Sequence, residues 1–348
     1  MEVGKNVLKV SQRITKKNSF VKDSGLKITR SDPLKSDASF RTYERLYSES
    51  KTFILMDAPP QTGENCKAFL AISNYLIDLG FSAPNIYKHD LENGFLILED
   101  FGDRLFSLIM KDNFNEKNLY INALDCLLAL QDRTVTEYVK IFDNEKYKIP
   151  LYDELALLKE VNLLIDWFYP TIFGERINEK LRVEYVSIWK DLISRLDKTN
   201  KVLVLRDYHV DNLIYLKDRN GINRVGLLDF QDAVIGSPLY DLVSLLEDSR
   251  ILVKKNIVDE MIKRFLNNTN MVKSDFIRDY SIFGAQRHSK VIGIFTRLYK
   301  RDKKSNYLKF IPYTWDLLEK SLTNLPSSDL SSWLNKNIPS EFRKKKIL

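Results

Sequence analysis

The stretch Arg206-Asp207-Tyr208-His209-Val210-Asp211-Asn212, followed seventeen residues later by Asp229-Phe230-Gln231-Asp232, decides how this chain is read. Short apolar runs flank it at Val202–Leu205, Asn212–Leu216 and Val225–Leu228, and they read as brief β-strands. The acidic residues fall in the loops after the first and third runs. Phosphoryl transfer asks for such a set. A carboxylate accepts the proton of the attacking hydroxyl, oxygen ligands hold magnesium on the phosphates, and all meet in one cleft. Magnesium takes one or two protein oxygens and completes its shell with phosphate and water. Asn212 and Asp229 match that need, and Asp207 is the candidate base.

Upstream, residues 37–57 read as two β-strands. Phe40, Tyr43 and Leu46 lie in the first, Phe53-Ile54-Leu55-Met56 in the second, with a polar turn at Ser48–Lys51. Pro59-Pro60 closes the second strand. Phe69, Ile72, Leu76 and Leu79 then recur at helical spacing over Glu64–Leu79, with Gly80 as the stop. Pro84–Tyr87 and Gly94–Leu98 read as two more strands, and Glu99-Asp100 as a hinge. Downstream the amphipathic runs are helical: Asn115–Leu130, Tyr152–Phe168, Asn178–Leu196, Val253–Leu266, Ser274–Tyr299 and Tyr307–Leu322. The expected architecture is α+β and bilobal, of the protein-kinase type. A small antiparallel β-sheet lobe over 36–103 binds ATP, and a mainly helical lobe over 104–335 carries catalysis and substrate. A basic extension (1–35) and a basic tail (336–348) flank them.

The 348 residues are 44% hydrophobic, with 19 Phe and 17 Tyr, enough for a sizeable core. The formal charge of +7 is concentrated at the ends, with +6 in residues 1–35 and +4 in 336–348, which leaves the body at −3. A nucleic-acid binder carries its basic face on the folded part, so the ends read as solvated tails or terminal helices. A nucleic-acid-associated protein with basic ends stays as the non-enzymatic alternative. Cys66 and Cys126 form no CxxC and only three histidines are present, which argues against structural zinc. No secretory h-region and no run of about 18 apolar residues occurs, so the expectation is a cytoplasmic protein without a membrane partner. GxxxxGK[ST], GxSxG and HExxH are all absent.

Residues 202–216 and 226–248 resemble the aminoglycoside-phosphotransferase and choline-kinase superfamily. More narrowly, they resemble the bacterial anomeric sugar kinases that act on N-acetylmuramate and N-acetylglucosamine in cell-wall recycling. Four further motifs agree, in family order. They are Ser36-Asp37-Ala38-Ser39-Phe40-Arg41, Leu55-Met56-Asp57-Ala58-Pro59-Pro60, Leu98-Glu99-Asp100-Phe101-Gly102-Asp103 and Gln286-Arg287-His288-Ser289-Lys290-Val291-Ile292-Gly293-Ile294-Phe295. The resemblance implies ATP and magnesium as cofactors, with Asp207 as base and Asn212 and Asp229 as metal ligands. It also implies a phosphate-covering turn at Asp37, Ala38, Ser39, Phe40 and Arg41, and adenine bound at the backbone around Glu99 and Phe101. Asp241 would brace the catalytic loop, and Gln286 and Arg287 would line the sugar pocket, where Arg287 suits a lactyl carboxylate. An aminoglycoside or choline-like hydroxyl substrate is the alternative within the enzyme class.

The chain departs from the superfamily at Leu205, where many members carry His. It also lacks a Lys on the strand ending Phe53-Ile54-Leu55-Met56-Asp57, and it has no GxGxxG. Arg41, then Arg45, are the candidates for the phosphate-binding cation. Other readings remain open. His209 and Arg206 orient the loop, Asp232 assists the metal Asp, Trp167 and Glu160 share a helix, and Asp57, Asp100 and Asp103 cap turns.

Overall fold

The computed structural model describes residues 2–34, 40–112, 115–325 and 329–344. Asp37, Ala38 and Ser39 of the expected phosphate turn lie outside the described residues. The chain divides into two units: residues 1–114, 136–148 and 211–232 form the first, and residues 115–135, 149–210 and 233–348 the second.

The first unit opens with α1 (Glu2–Lys22), β1 (Ile28–Leu34), β2 (Thr42–Ser48) and β3 (Thr52–Asp57). It continues through α2 (Cys66–Asp78), β4 (Ile86–Asp90), β5 (Phe95–Glu99) and the short α3 (Phe106–Ile109). The sheet is antiparallel, in the order β1-β2-β3-β5-β4. Pro33 sits in β1 because an edge strand can spare an N–H. In α2 the apolar positions read at helical spacing, Phe69, Ile72 and Leu76, are all buried. Asn65 caps the helix by accepting from Ala68 N at 3.0 Å.

The basic N-terminal segment is part of this unit. Phe20 of α1 stacks on Phe95 at 5.6 Å and joins Leu46, Phe53, Leu55 and Ile97 in one apolar cluster. Arg13 pairs with Asp57 and lies 4.5 Å over the Phe95 ring, and Lys17 pairs with Glu44. The division read from sequence at 35/36 therefore differs from the observed one, because β1 is a strand of the sheet and α1 covers apolar residues on it. The later division at 103/104 differs as well. The hairpin β6 (Tyr138–Phe142) and β7 (Glu145–Lys148) and the ribbon carrying Asn212 and Asp229 return to the first unit.

In the second unit lie α4 (Glu116–Gln131), α5 (Glu154–Leu163), α6 (Tyr169–Phe173) and α7 (Glu179–Ser194), then α8 (Leu239–Leu246), α9 (Lys255–Asn267) and α10 (Lys273–Asp302). It ends with α11 (Ile311–Thr323), α12 (Asp329–Asn337) and α13 (Ser340–Arg343). A π-helical turn over Leu164–Phe168 links α5 to α6. Gly293 of α10 lies against the backbone of Leu163 so closely that any Cβ would collide with it. Near the tail, Arg343 is buried and donates to Ile338 O at 2.7 Å while pairing with Glu319 at 2.8 Å. No described helix is long and apolar enough to cross a membrane.

The central β pattern is two ribbons rather than one hairpin. β8 (Val202–Val204) pairs with β11 (Val234–Gly236), and β9 (Leu213–Tyr215) pairs with β10 (Val225–Leu227). Each strand is only three residues long, so apolar runs alone did not fix the partners.

Gly94 holds φ +75°, and a Cβ there would collide with the Ala58 carbonyl oxygen, next to the hydrogen bond from Ala58 N to Gly94 O at 2.8 Å. Gly94→Ala is expected to cost about 2–5 kcal/mol, read from the urea midpoint. Gly102→Ala, at φ +79° with open space around it, should lose only the left-handed penalty of about 1–2 kcal/mol. Equal losses would remove the Ala58 contact from the argument.

Candidate active site

The candidate groups fall into two sets, one in each unit. In the first unit, the β9–β10 ladder pairs Leu213 with Leu227, and Leu228 N donates to Asn212 O at 3.0 Å. The ladder thus brings Asn212 opposite Leu228, the neighbour of Asp229. Asp229 adopts φ +56°, a left-handed conformation rare for a residue with a side chain. Its Oδ1 accepts from Arg41 Nη2 at 2.7 Å and from Gln231 Nε2 at 3.1 Å. Arg41 is buried. It also donates from Nη1 to Gln231 Oε1 at 2.7 Å and lies 3.1 Å from Glu64 through Nε. One arginine thus joins the metal-ligand candidate to an acid that leads into α2, the helix that packs Phe69 on Phe230 at 5.0 Å. The oxygen chemistry of Asn212 and Asp229 fits magnesium. Arg45, the second candidate for the phosphate cation, is held by Asp100 and Asp103, each at 2.7 Å. Asp232 is exposed, with Oδ2 3.3 Å from Gln231 Nε2.

The expected adenine segment also lies in this unit. Glu99 is fixed by Asn85 Nδ2 at 2.7 Å and by Arg219 Nη2 at 2.6 Å. The Phe101 ring lies against Gly226 of β10, where a Cβ would come within 2.9 Å of it, and Arg219 covers the ring at 5.1 Å. Phe40 is exposed, and its N–H donates to Glu64 Oε1 at 3.3 Å.

In the second unit the loop after β8 turns at Arg206, which holds φ +68°. Buried Asp241 of α8 accepts from Leu205 N at 2.6 Å and Arg206 N at 2.9 Å, the brace expected of it. Burial pushes the Asp241 carboxyl up to about 7, against those two bonds and Arg287. Arg287 donates to Arg206 O at 2.9 Å and to Tyr240 OH at 3.3 Å, and its Nη2 is 4.0 Å from Asp207 Oδ1. Burial by itself raises the Asp207 carboxyl. Lys290 and Arg287 above all outweigh it and hold Asp207 at about 2. The carboxylate is therefore ionised and able to accept a proton. It keeps a 39% exposed side chain beside almost fully buried cations.

Glu160 of α5, which the sequence reading left without a role, organises this half. It pairs with Arg206, accepts from Lys290 Nζ at 2.9 Å and Gln286 Nε2 at 2.9 Å, and receives the Tyr152 hydroxyl. Gln286, Lys290 and Gly293 recur at i, i+4 and i+7, so one stripe of α10 meets α5. Glycine lets the backbones touch, and the two polar residues find Glu160. Gln286 is 1% exposed; its Nε2 donates to Glu160, and its Oε1 has no hydrogen-bond partner among the described residues. Arg287, one position round the helix, is spent on the loop. A buried Lys in an otherwise packed helical run needs a counter-charge, and that was the available signal for Glu160. His209 is buried, with Nε2 3.1 Å from Arg250 Nη1. Trp167 is half-buried within the π turn.

Residues 32–270 match the phosphotransferase enzyme family. The chain belongs to that family and is a kinase. Among its relatives is the N-acetylmuramate/N-acetylglucosamine kinase of Caulobacter vibrioides, 31% identical over 361 residues, covering 96% of this chain and 99% of the relative. The protein of the same name from Pseudomonas aeruginosa is 32% identical and covers 84% of each chain. The choline kinase LicA from Streptococcus pneumoniae shares the fold at a TM-score of 0.59 and 17% identity, over 92% of this chain and 99% of that one. ADP-bound aminoglycoside phosphotransferase APH(2'')-Ib also gives 0.59, at 16% identity, over 87% and 96%. The α+β, protein-kinase-like architecture expected from the sequence is the one observed.

Burial alone would raise the Glu160 carboxyl, but Lys290 and Arg206 hold it at about 2, below its ordinary 4.5. Its contribution to stability is complete above the ordinary value and is lost as pH falls from about 4.5 toward about 2. Glu160→Ala leaves two cations without their partner and should cost about 3–5 kcal/mol near neutrality. Urea unfolding at about pH 7 and about pH 3 should show the gap from wild type narrowing at the lower pH. A gap of constant size would contradict this role.

Proposed function

We propose that this kinase transfers the γ-phosphoryl group of ATP to the anomeric hydroxyl of N-acetylmuramate and N-acetylglucosamine, as a step of peptidoglycan recycling in the cytoplasm. The observation that carries the sugar assignment is the likeness to relatives of that name at 31–33% identity, spanning 80–96% of this chain.

On this reading Asp207 accepts the C1 hydroxyl proton as the sugar oxygen bonds to the γ-phosphorus, the bond to the β,γ-bridging oxygen breaks, and ADP leaves. Lys290 and Arg287 keep Asp207 ionised before that step. Asn212 and Asp229 would hold magnesium, which when bound supplies charge neutralisation on the phosphates. Arg41 supplies the cation that the strand Phe53–Asp57 lacks, and Glu64 and Gln231 orient it as a carboxylate orients a phosphate-binding lysine. The segment Asp37–Arg41 covers the phosphates, and the backbone at Glu99–Phe101 takes adenine.

The experiment is a panel of purified chain with ATP, magnesium and each amino sugar, choline or an aminoglycoside, with the phosphorylated position read by phosphorus NMR. A C1 phosphate on the two amino sugars is expected. Consumption of choline or aminoglycoside alone would overturn the assignment. Asp207→Asn should lower kcat by about 10²- to 10⁴-fold while ATP binding persists. Retained turnover would put the base elsewhere.

A further inference from the structure

Four cations lie on or beside the loop that carries Asp207 in the second unit, and three of them have internal duties. Arg206 and Lys290 are paired with Glu160. Arg287 is spent on Arg206 O and Tyr240 OH, and lies 4.0 Å from Asp207 itself. The fourth, Arg250, stands in the turn after α8 with a 25% exposed side chain. Its backbone N donates to Asp248 Oδ1 at 2.9 Å, and in the guanidinium Nη1 is 3.1 Å from His209 Nε2 and 3.6 Å from the same Oδ1. Nε and Nη2 have no protein partner among the described residues.

Arginine only donates, so His209 must accept through Nε2 and carry its proton on Nδ1. Burial and the facing Arg250 keep His209 neutral. His209 is two residues from the base, and its N–H donates to Asp207 O at 3.1 Å. Arg250 thus meets the loop that carries Asp207 through the His209 ring, seated over the Phe295 ring at 5.9 Å, with its donor edge uncommitted.

We infer that Arg250, held by His209 and Asp248, is the specificity-determining residue that binds the carboxylate of an acidic amino-sugar acceptor. The inference rests on the sugar-kinase reading above and adds to it which residue separates the two acceptors. N-Acetylmuramate carries its carboxylate on an ether arm at C3, a ring width and a short arm from the C1 hydroxyl that Asp207 must reach. A carboxylate drawn to Arg287 would crowd Asp207 with like charge. One drawn to Arg250 would not, and it would meet two parallel N–H donors in the fork geometry that suits carboxylates.

The test is steady-state kinetics of the full chain and of Arg250→Met and Arg250→Lys with both sugars. Arg250→Met should lower kcat/KM for N-acetylmuramate about tenfold to a hundredfold more than for N-acetylglucosamine, mainly through KM, and Arg250→Lys should recover part of the difference. A parallel loss on both sugars would overturn the inference. Should Arg250→Met fold poorly, wild-type enzyme with the neutral carboxamide of N-acetylmuramate gives the same reading. It should lose the same factor relative to the acid, and equal use of acid and amide would overturn the inference. A wild-type chain that phosphorylates neither sugar would instead refute the sugar-kinase assignment, so the two failures are distinguishable.

Discussion

The left-handed backbone at Arg206 is the constraint on which the catalytic half of the second unit depends. A residue with a side chain at φ +68° costs of order 1–3 kcal/mol, and it persists only where neighbours over-determine it. Here Asp241 takes two successive amide N–H groups, Arg287 and Ser244 bond the Arg206 carbonyl, and Glu160 holds the guanidinium. Glycine would turn more cheaply, but it would forfeit the anchor to α5. Asp229 repeats the device in the first unit. It too is left-handed, and Arg41 and Gln231 hold its carboxylate. Of the three described non-glycine residues with left-handed backbone, one is a candidate metal ligand and one directly precedes Asp207.

The anchoring acid explains why polar residues lie inside α10. Burying Glu160 with Arg206 and Lys290 has a large desolvation cost, and such a group returns little net stability beyond what well-packed apolar residues would give. Its return is positional. Gln286 and Lys290 fix Glu160, Glu160 fixes Arg206, and Arg206 stands next to the base. Gly293 makes this possible, since a Cβ there would push α10 off Leu163 and move Lys290 with it. The same cations keep Asp207 ionised, so packing of two helices and the protonation state of the proposed base are one problem.

Much of this was legible in the residues. The helical spacing of Phe69, Ile72 and Leu76, the β-favouring run Phe53–Met56 and the D-x₄-N…D pattern give the α+β architecture and the candidate acids without a structure. The N-terminal segment was misleading because its lysines and arginines dominate composition, while the contacts that dock it, Phe20 on Phe95 and Arg13 on Asp57, are separated by many residues. Strand partners in the central ribbons were not legible, because three-residue strands carry too little pattern. Gln286 and Arg287 stood out as polar residues in a helix, but only their burial shows that they bond Glu160 and the loop. Arg250 and Asp248 left no signal at all, since their place comes from a turn whose neighbours are distant in sequence.

The central claim is that Asp241 sets the position of Asp207 through the Arg206 turn. It is tested most directly by kcat of Asp241→Asn, which keeps the size of the side chain but turns one acceptor into a donor facing an amide N–H. Misplacing a reacting group by about 1 Å costs on the order of 10²-fold. The account predicts a fall in kcat of at least that size with KM for ATP nearly unmoved. A variant that turns over at the wild-type rate would contradict it.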